Sequence, residues 1–412
     1  MKFTWKKALG IATAASMLMG TAACGNGDTA SEGSTGDVQD VTLTVWAPQE
    51  DQAEGTNWLA KVEEGFEKEH PEYNITWKND VVSEGDASKT VTTDPTAAAD
   101  VYMFASDQLG VLIDSGAIGQ LGTDAEKQVR EQNGDMEIDS VTGTDGKLYG
   151  VPYTDNTWFM YYNKAKISDE DAKSLDTMLS KAVVTFPLSN SWYINGFYDG
   201  LELFGPDGTD EDAGIVFPAD GADITSYLVD LVANPNFRND DGASGLADLQ
   251  AGTADVLFSG TWSAADVKAA LGDNMGVAAL PTFTVDGQTK QMKSFAATKA
   301  VAYNPNAENT RAAAEFAAYM GSTDAQKWHY EMRQIPPTDQ SLSDLISDDP
   351  AAKAQADTMA NTAILQSGLS AMNDWWTPAE TFGKGLVNKE VTADNAAAKF
   401  QEWVDQLGAK LA

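Results

Sequence analysis

The chain has 412 residues, with 27 Lys and Arg against 62 Asp and Glu, which gives a formal net charge of −35. We expect no nucleic-acid partner, because neutralising phosphates requires a basic face and the few basic residues are dispersed among acids. Hydrophobic residues form 42% of the chain, enough for a substantial core, and the length indicates two or three domains. One cysteine and two histidines leave few ligands for a metal. We therefore expect a folded protein without metal or cofactor, in which His70 and His329 are solvated or capping residues.

The first segment has the layout of an export signal. Three lysines precede an apolar and small-residue run over 8–20, which is too short to cross a bilayer. The run leads into Thr21-Ala22-Ala23-Cys24, which resembles a bacterial lipobox, although Thr21 stands where such motifs carry Leu. We expect 1–23 to be a lipoprotein signal peptide and Cys24 to be the lipidated residue. Residues 24–39, rich in Gly, Ser, Thr and Asp, are expected to form a flexible tether.

The body of the chain alternates between strand and helix patterns. Apolar and polar residues alternate over 41–46, a helix follows between the expected cap Asn57 and Pro71, and alternation returns over 73–77. This order is a βαβ unit, which predicts parallel pairing in an α/β sheet. Further elements are predicted as strands over 100–104, 254–258 and 277–280, and as helices over 107–115 and 310–320 and around Phe400, Trp403, Val404 and Leu407.

Motifs for common cofactors and catalytic metals are missing from the sequence. It contains no Gly-x-Gly-x-x-Gly after a strand, no phosphate-binding loop and no His-Glu-x-x-His. The acidic loop over 207–212 lacks the ligand spacing of an EF-hand, so we interpret it as a solvated loop. No catalytic residues are therefore assigned.

Four segments carry motifs in a characteristic order. They are ADVYMFASD at 99–107, KLYGVPY at 147–153 with WFMYYNK at 158–164, LQAGTADVLFSGTW at 249–262, and GVAALP at 276–281. Together they resemble the extracellular solute-binding proteins of ABC importers, most closely the maltose and maltodextrin binders. The resemblance implies an α/β, two-lobe periplasmic-binding-protein fold, type II-like, whose lobes bend about a hinge.

The resemblance also implies how the chain divides between the lobes. Lobe 1 is expected to comprise 40–153 plus 297–340, and lobe 2 is expected to comprise 154–296 plus 341–412. The crossings between them are expected near 153–156, 293–297 and 334–349. Ligand sites lie preferentially between such domains, and hinge closure is their usual response to a ligand.

A sugar ring requires flat aromatic platforms for its apolar face and polar side chains for its hydroxyl rim. Trp262 matches the family's stacking aromatic, with a core position as the alternative. Of the adjacent Trp375 and Trp376, we expect one to stack on ligand and the other to pack. Asp107 matches the family's cleft acid, with a helix N-cap as the alternative or additional role. The remaining candidates are Trp192, Tyr193, Asn190, Asn156 and Glu50, followed by Trp46 and Trp158, for which core packing is an equal alternative.

Some positions depart from the maltodextrin binders. Asp51 and Gln108 stand nearest to where those proteins carry Lys and Arg, and Asn156 stands where they carry Glu near the hinge. The ligand expected from the resemblance is therefore an oligosaccharide of the maltose or maltodextrin type, or another neutral glycan. The implied partners are the permease subunits of an ABC importer, at the outer face of the membrane, and the receptor is expected to be monomeric.

Two other functional classes stay open at this stage. A glycoside hydrolase also combines tryptophans with a pair of carboxylates, and 62 acids prevent its exclusion by counting. A binder of peptides, polyamines or metals is the other alternative. A polyamine would need several acids together in the cleft.

Overall fold

The structure is a computed structural model, and it describes residues 38–206 and 208–412. The predicted signal peptide, Cys24 and most of the predicted tether lie outside these residues. The strands are β1 (Gln39–Ala47), β2 (Tyr73–Val81), β3 (Val101–Ala105), β4 (Val151–Asn156), β5 (Phe159–Asn163), β6 (Val184–Phe186), β7 (Glu202–Leu203), β8 (Ile215–Phe217), β9 (Phe237–Asn239), β10 (Val256–Ser259), β11 (Met275–Ala278), β12 (Thr282–Val285), β13 (Gln288–Gln291), β14 (Ser294–Tyr303), β15 (Ala363–Leu365) and β16 (Lys410–Leu411).

The α-helices lie between these strands and after them. They are α1 (Trp58–Glu69), α2 (Ala87–Val91), α3 (Leu109–Asp114), α4 (Thr123–Gln132), α5 (Asp135–Ser140), α6 (Leu175–Leu179), α7 (Gly221–Ala233), α8 (Ser244–Gln250), α9 (Ala264–Leu271), α10 (Thr310–Met320), α11 (Thr323–Arg333), α12 (Ser343–Ile346), α13 (Pro350–Asn361), α14 (Asn373–Val387) and α15 (Ala396–Gln406). Within the described ranges, no helix combines the length and the apolar character that a membrane crossing requires.

The first sheet contains the predicted βαβ unit. Its strand order is β15-β14-β3-β1-β2, with β4 paired to β14. β1 is parallel to β2, as predicted, and also to β3, whereas β14 is antiparallel to β3 and β4. Helix α1 begins where Asn57 accepts a hydrogen bond from the backbone N–H of Ala60 at 2.9 Å, and it ends before Pro71. Its buried face, which includes Trp58 and Phe66, packs in one core with helices α10 and α11.

The second sheet has its own core. Its strand order is β11-β5-β10-β6-β9. The larger core cluster beside it contains Trp158, Phe186, Trp375 and Trp403, all of them almost fully buried. A smaller cluster on this sheet joins Phe159 and Tyr161 to helix α13. The tryptophans of the chain therefore contribute heavily to packing as well as to any site.

The chain passes between the two sheets at several points. β4 of the first sheet is followed by β5 of the second, with only Thr157 and Trp158 between them. The Thr157 hydroxyl lies 2.6 Å from the hydroxyl of Ser294, the first residue of β14, so two passages are hydrogen-bonded to each other. A third passage leads from α11 to α13. The lobe boundaries given above remain predictions.

Candidate functional site

A cleft of about 900 Å³ is lined by residues from both sheets. Asp107 follows β3 and Lys299 lies on β14 of the first sheet, whereas Trp262 follows β10 of the second sheet. The predicted site residues that line this cleft are Glu50, Asp107, Asn156, Asn190, Trp192, Trp262 and Trp376.

Trp262 lies directly after Gly260 and Thr261 at the end of β10. Its side chain is half-buried and faces the cleft. Gly260 makes room for the indole, because a Cβ at that position would lie 2.0 Å from Cζ3 of the Trp262 ring. The Trp262 ring centroid lies 6.0 Å from that of Trp192, with an interplanar angle of 41°. Two aromatic surfaces therefore meet at an angle on one side of the cleft.

The loop that carries Trp192 is held by two tryptophans of the core. The indole N–H of Trp158 donates to the backbone oxygen of Trp192 at 3.2 Å, and that of Trp375 donates to the backbone oxygen of Ser191 at 3.0 Å. The indole N–H of Trp192 itself donates to Oε1 of Gln366 at 3.0 Å. The Asn190 side chain accepts from the Trp192 backbone N–H at 2.8 Å. These bonds fix the position of Trp192 without any ligand.

Four of the aromatic candidates lie away from the cleft. Trp375 is fully buried against Phe217 and Trp403, so of the adjacent pair Trp376 lines the cleft and Trp375 packs. Tyr193 is buried and its ring stacks on Trp158 with centroids 5.0 Å apart. Trp158 is itself fully buried, and Trp46 packs against the core around Tyr102 and Phe104. The cleft placement of Trp375 and Tyr193 is therefore corrected, whereas for Trp158 and Trp46 the core alternative is the one realised.

Asp107 lies in the one-turn helix after β3, at the wall of the cleft. Burial raises the pKa of its carboxyl group to about 7, although a hydrogen bond from its own backbone N–H acts in the opposite direction. Its side chain does not cap helix α3, so the N-cap alternative is not realised. The carboxyl group lines the cleft and is available to a ligand.

Sequence reasoning missed both lysines of the cleft and five of its acids, and among these residues Glu84 and Lys299 form an ion pair. The Glu84 carboxylate accepts from the Tyr153 hydroxyl at 2.7 Å and from Lys299 Nζ at 3.1 Å. Lys299 Nζ also lies 5.4 Å from the centroid of the Trp262 ring. No motif marks either residue in the sequence. A signal was present only in the β14 pattern, where one lysine interrupts a nearly apolar strand.

Asp51 and His329 line a smaller pocket that shares Glu50, Glu84, Trp262 and Lys299 with the cleft. Asp51 Oδ1 lies 2.9 Å from His329 Nε2 and 3.2 Å from Arg333 Nε. Burial alone would raise the pKa of Asp51, but attraction to His329 and Arg333 outweighs burial and lowers it. The expectation of a solvated or capping His329 is wrong, since this ring is buried and stacks on Trp58 with centroids 4.2 Å apart. This ion cluster anchors the segment that carries Glu50.

The cleft offers aromatic faces beside hydrogen-bonding groups. Its lining includes three tryptophans, several amides, two lysines and seven carboxylates. Two of those carboxylates are paired with the lysines, Glu84 with Lys299 and Glu380 with Lys384. Stacking surfaces next to charged acceptors suit a ligand with an apolar face and a polyhydroxyl edge.

Comparison with known proteins supports the fold and the family. The family described as "Bacterial extracellular solute-binding protein" matches residues 61–358. A maltooligosaccharide ABC transporter solute-binding lipoprotein of Streptococcus pneumoniae is 26% identical, over 94% of this chain and 93% of its own length. A galactooligosaccharide-binding protein of Bacillus subtilis is also 26% identical, over 93% of this chain and 94% of its own length.

Solved structures agree with this assignment. A structure described with acarbose is 44% identical, with a TM-score of 0.86, and covers 90% of this chain and 99% of its own. The maltodextrin-binding protein MalE1 of L. casei BL23, without ligand, is 24% identical with a TM-score of 0.75 over the same shares. The predicted periplasmic-binding-protein fold is thereby confirmed. The chain belongs to the family of bacterial extracellular solute-binding proteins.

Proposed function

We propose that this protein is an extracellular receptor that captures an oligosaccharide and delivers it to an ABC importer without chemical change. The observation that carries the proposal is the arrangement of Trp192, Trp262 and Trp376 around one cleft, beside the carboxylate of Asp107 and the amide of Asn156. Each tryptophan supplies a flat apolar face, and each polar group suits a sugar hydroxyl. The cleft volume of about 900 Å³ fits a ligand of several sugar rings.

Maltose and maltodextrin-type α-glucosides are the first ligands to test. The names of the relatives support this class, but they include a galactooligosaccharide binder at the same 26% identity as the maltooligosaccharide binder. The replaced positions Gln108 and Asn156 both line the cleft. Specificity is therefore expected to differ in detail from that of the maltodextrin binders.

Delivery to a transporter requires export, and a lipid anchor would keep the exported receptor close to the membrane. The lipobox-like segment ending at Cys24 supports a lipid anchor on the outer face of the cytoplasmic membrane. The implied partners are permease subunits, with the receptor acting as a monomer. Replacing Cys24 with Ala should release the exported protein into the medium of the expressing cells, whereas the unmodified protein should fractionate with membranes.

The test of ligand class is isothermal titration calorimetry with a panel of sugars. The panel comprises maltose, maltotriose, longer α-glucans, acarbose, and raffinose-type and xylan-type oligosaccharides. Saturable binding of at least one member, without a metal or cofactor, is the expected result. Binding of a polyamine or peptide with no binding of any sugar would overturn the proposal.

Incubation with the bound sugar separates a receptor from a glycoside hydrolase. After prolonged incubation at several pH values, chromatography should recover the oligosaccharide intact. Release of shorter products in proportion to protein concentration would instead support the hydrolase alternative. An Asp107→Asn variant should then lose that release if Asp107 acts as the acid.

A further inference from the structure

The ion pair of Glu84 and Lys299 is an unusual feature of a cleft lined by many more acids than bases. Lys299 keeps only 18% of its side chain exposed and Glu84 only 9%. By contrast, the other cleft lysine, Lys384, is 58% exposed and pairs with Glu380 on its own helix. A lysine side chain that is largely immobilised has already lost the rotamer freedom that binding would otherwise remove.

Several hydrogen bonds hold Glu84 in place. Its carboxylate accepts from Tyr153, and its backbone oxygen accepts from Nε2 of Gln108 at 2.8 Å. The same Gln108 side chain accepts from the Ser88 backbone N–H at 2.7 Å. Gln108 therefore fixes the turn that presents Glu84, which gives a structural role to a position where the maltodextrin binders carry Arg.

The backbone around Lys299 is irregular at the same point. Lys299 pairs with Thr154 and Ala300 pairs with Pro152, so Tyr153 is an extra residue in β4 opposite this step. Such bulges redirect side chains out of the regular pleat and are common next to functional sites. Here the bulge brings the hydroxyl of Tyr153 and the ammonium of Lys299 to one carboxylate.

The Lys299 ammonium lies over the face of the Trp262 ring, 5.4 Å from its centroid, and Trp262 comes from the other sheet. A sugar stacked on Trp262 would therefore place its hydroxyl rim within reach of a fixed cation. The carboxylates that line the cleft accept hydrogen bonds, whereas the ammonium group of Lys299 can only donate them. We infer that Lys299, positioned by Glu84, is a specificity-determining residue that donates hydrogen bonds to the hydroxyls of the sugar ring seated on Trp262.

This inference rests on the proposed function, and the test separates the two. Affinity for maltotriose, or for the tightest-binding member of the sugar panel, is measured for Lys299→Met, Lys299→Arg and the control Lys290→Met. Lys290 is a matched control because its side chain is 15% exposed and pairs with Asp220, and neither residue lines the cleft. Met keeps an apolar chain of similar length without the charge. We expect Lys299→Met to weaken binding at least about tenfold, Lys299→Arg to weaken it less, and Lys290→Met to remain within about twofold.

A double variant distinguishes a role of Lys299 in sugar binding from a purely structural role. Lys299→Met alone leaves Glu84 without its cation and is expected to lower the melting temperature. The double variant Glu84→Gln/Lys299→Met removes both charges, so its melting temperature should return toward that of the unmodified protein while its affinity stays low. Recovery of affinity in the double variant would overturn the inference.

Two further outcomes are distinguishable. If the unmodified protein binds sugar and Lys299→Met binds it equally well, the inference fails and the proposed function stands. If the unmodified protein binds no sugar of the panel, the proposed function fails and the inference fails with it.

Discussion

The indole N–H of Trp192 donates to Oε1 of Gln366 across 3.0 Å, and the two residues are 174 positions apart in the chain. Gln366 is buried and lies directly after β15, in the segment that leads to α14. The orientation of one aromatic face in the cleft therefore depends on a residue outside every recognisable motif.

Replacing Gln366 with Leu is expected to weaken sugar binding about fivefold, because loss of one hydrogen bond costs about 1 kcal/mol and frees the Trp192 ring to rotate. Titration calorimetry measures the effect. Gln401→Leu is the control, since Gln401 is exposed on α15 and its amide donates a hydrogen bond to Asp405 on the same helix. Equal affinities for the two variants would show that Trp192 is held by other contacts.

Replacing Trp262 with Ala is expected to reduce affinity about 30-fold or more, because a stacking aromatic at a binding site contributes about 2 kcal/mol or more. Sugar-dependent change in tryptophan fluorescence should be lost as well. Trp328→Ala is a matched control: this ring is also half-buried and also has a lysine, Lys61, near its face at 4.8 Å, but it packs in the first-sheet core. Retained affinity in Trp262→Ala would remove this residue from the site.

The neighbouring Trp375 and Trp376 should separate stability from binding. Trp375→Ala is expected to lower the free energy of unfolding by about 3 to 5 kcal/mol, because it empties a fully buried site and leaves the Ser191 backbone oxygen without its donor. Trp376→Ala should lower it much less and weaken sugar binding instead. Chemical denaturation and calorimetry on both variants test this. The reverse assignment would contradict the orientation of α14.

Asp107 is expected to make stability depend on pH. The folded protein keeps a proton on Asp107 up to a pKa of about 7, whereas the unfolded chain releases it near 3.8. The free energy of unfolding should therefore fall as pH rises from about 4 to 7. Asp107→Asn removes this pH-dependent loss of stability, so the variant should be more stable than the unmodified protein at pH 8. The expected difference in the free energy of unfolding is about 1 to 3 kcal/mol, which includes a reduction for partial solvation of the carboxylate.

Melting curves recorded from pH 4 to pH 8 check the difference between the two proteins. The difference between the two proteins does not contain the contributions of other buried acids, which both proteins share. One such acid is Glu63, whose pKa is also raised to about 7 by burial. An advantage of the variant that is the same at pH 4.5 and at pH 8 would contradict the expectation.

Asp51 should behave in the opposite sense. Its lowered pKa means that it stabilises the folded protein above the unfolded value of 3.8 and that this contribution is lost as pH falls through the folded value. At neutral pH, Asp51→Ala is expected to cost about 3 to 5 kcal/mol, because it leaves buried His329 and the partly buried Arg333 without their anion. Denaturation measures the cost, and the fully exposed Asp273→Ala should change stability by less than about 0.5 kcal/mol.

Local signals predicted much of the fold. Helix α10 was predicted over 310–320 and has those bounds, and the cap at Asn57 forms as predicted, because both depend on residues within a few positions of each other. The Trp262 position followed from a motif whose Gly260 makes room for the indole.

Other parts of the site depend on contacts that sequence cannot reveal. Adjacent tryptophans on a helix point about 100° apart, and only packing decides which of Trp375 and Trp376 faces the core. Glu84 and Lys299 meet across 215 positions, through strand pairing and a bulge that local patterns do not encode. Among 62 acidic residues, nothing local distinguishes Glu84.

Strand β14 begins at Ser294, which is bonded to Thr157 at the passage between the sheets, and reaches Lys299 five residues later. At about 3.3 Å per residue, Lys299 lies about 16 Å along the strand from that passage. Because of this distance, a small rotation of the strand at the passage produces a large displacement of Lys299. A rotation of about 10° at its base would move the ammonium by about 3 Å relative to Trp262, so a small angular change becomes a contact made or lost at the ligand.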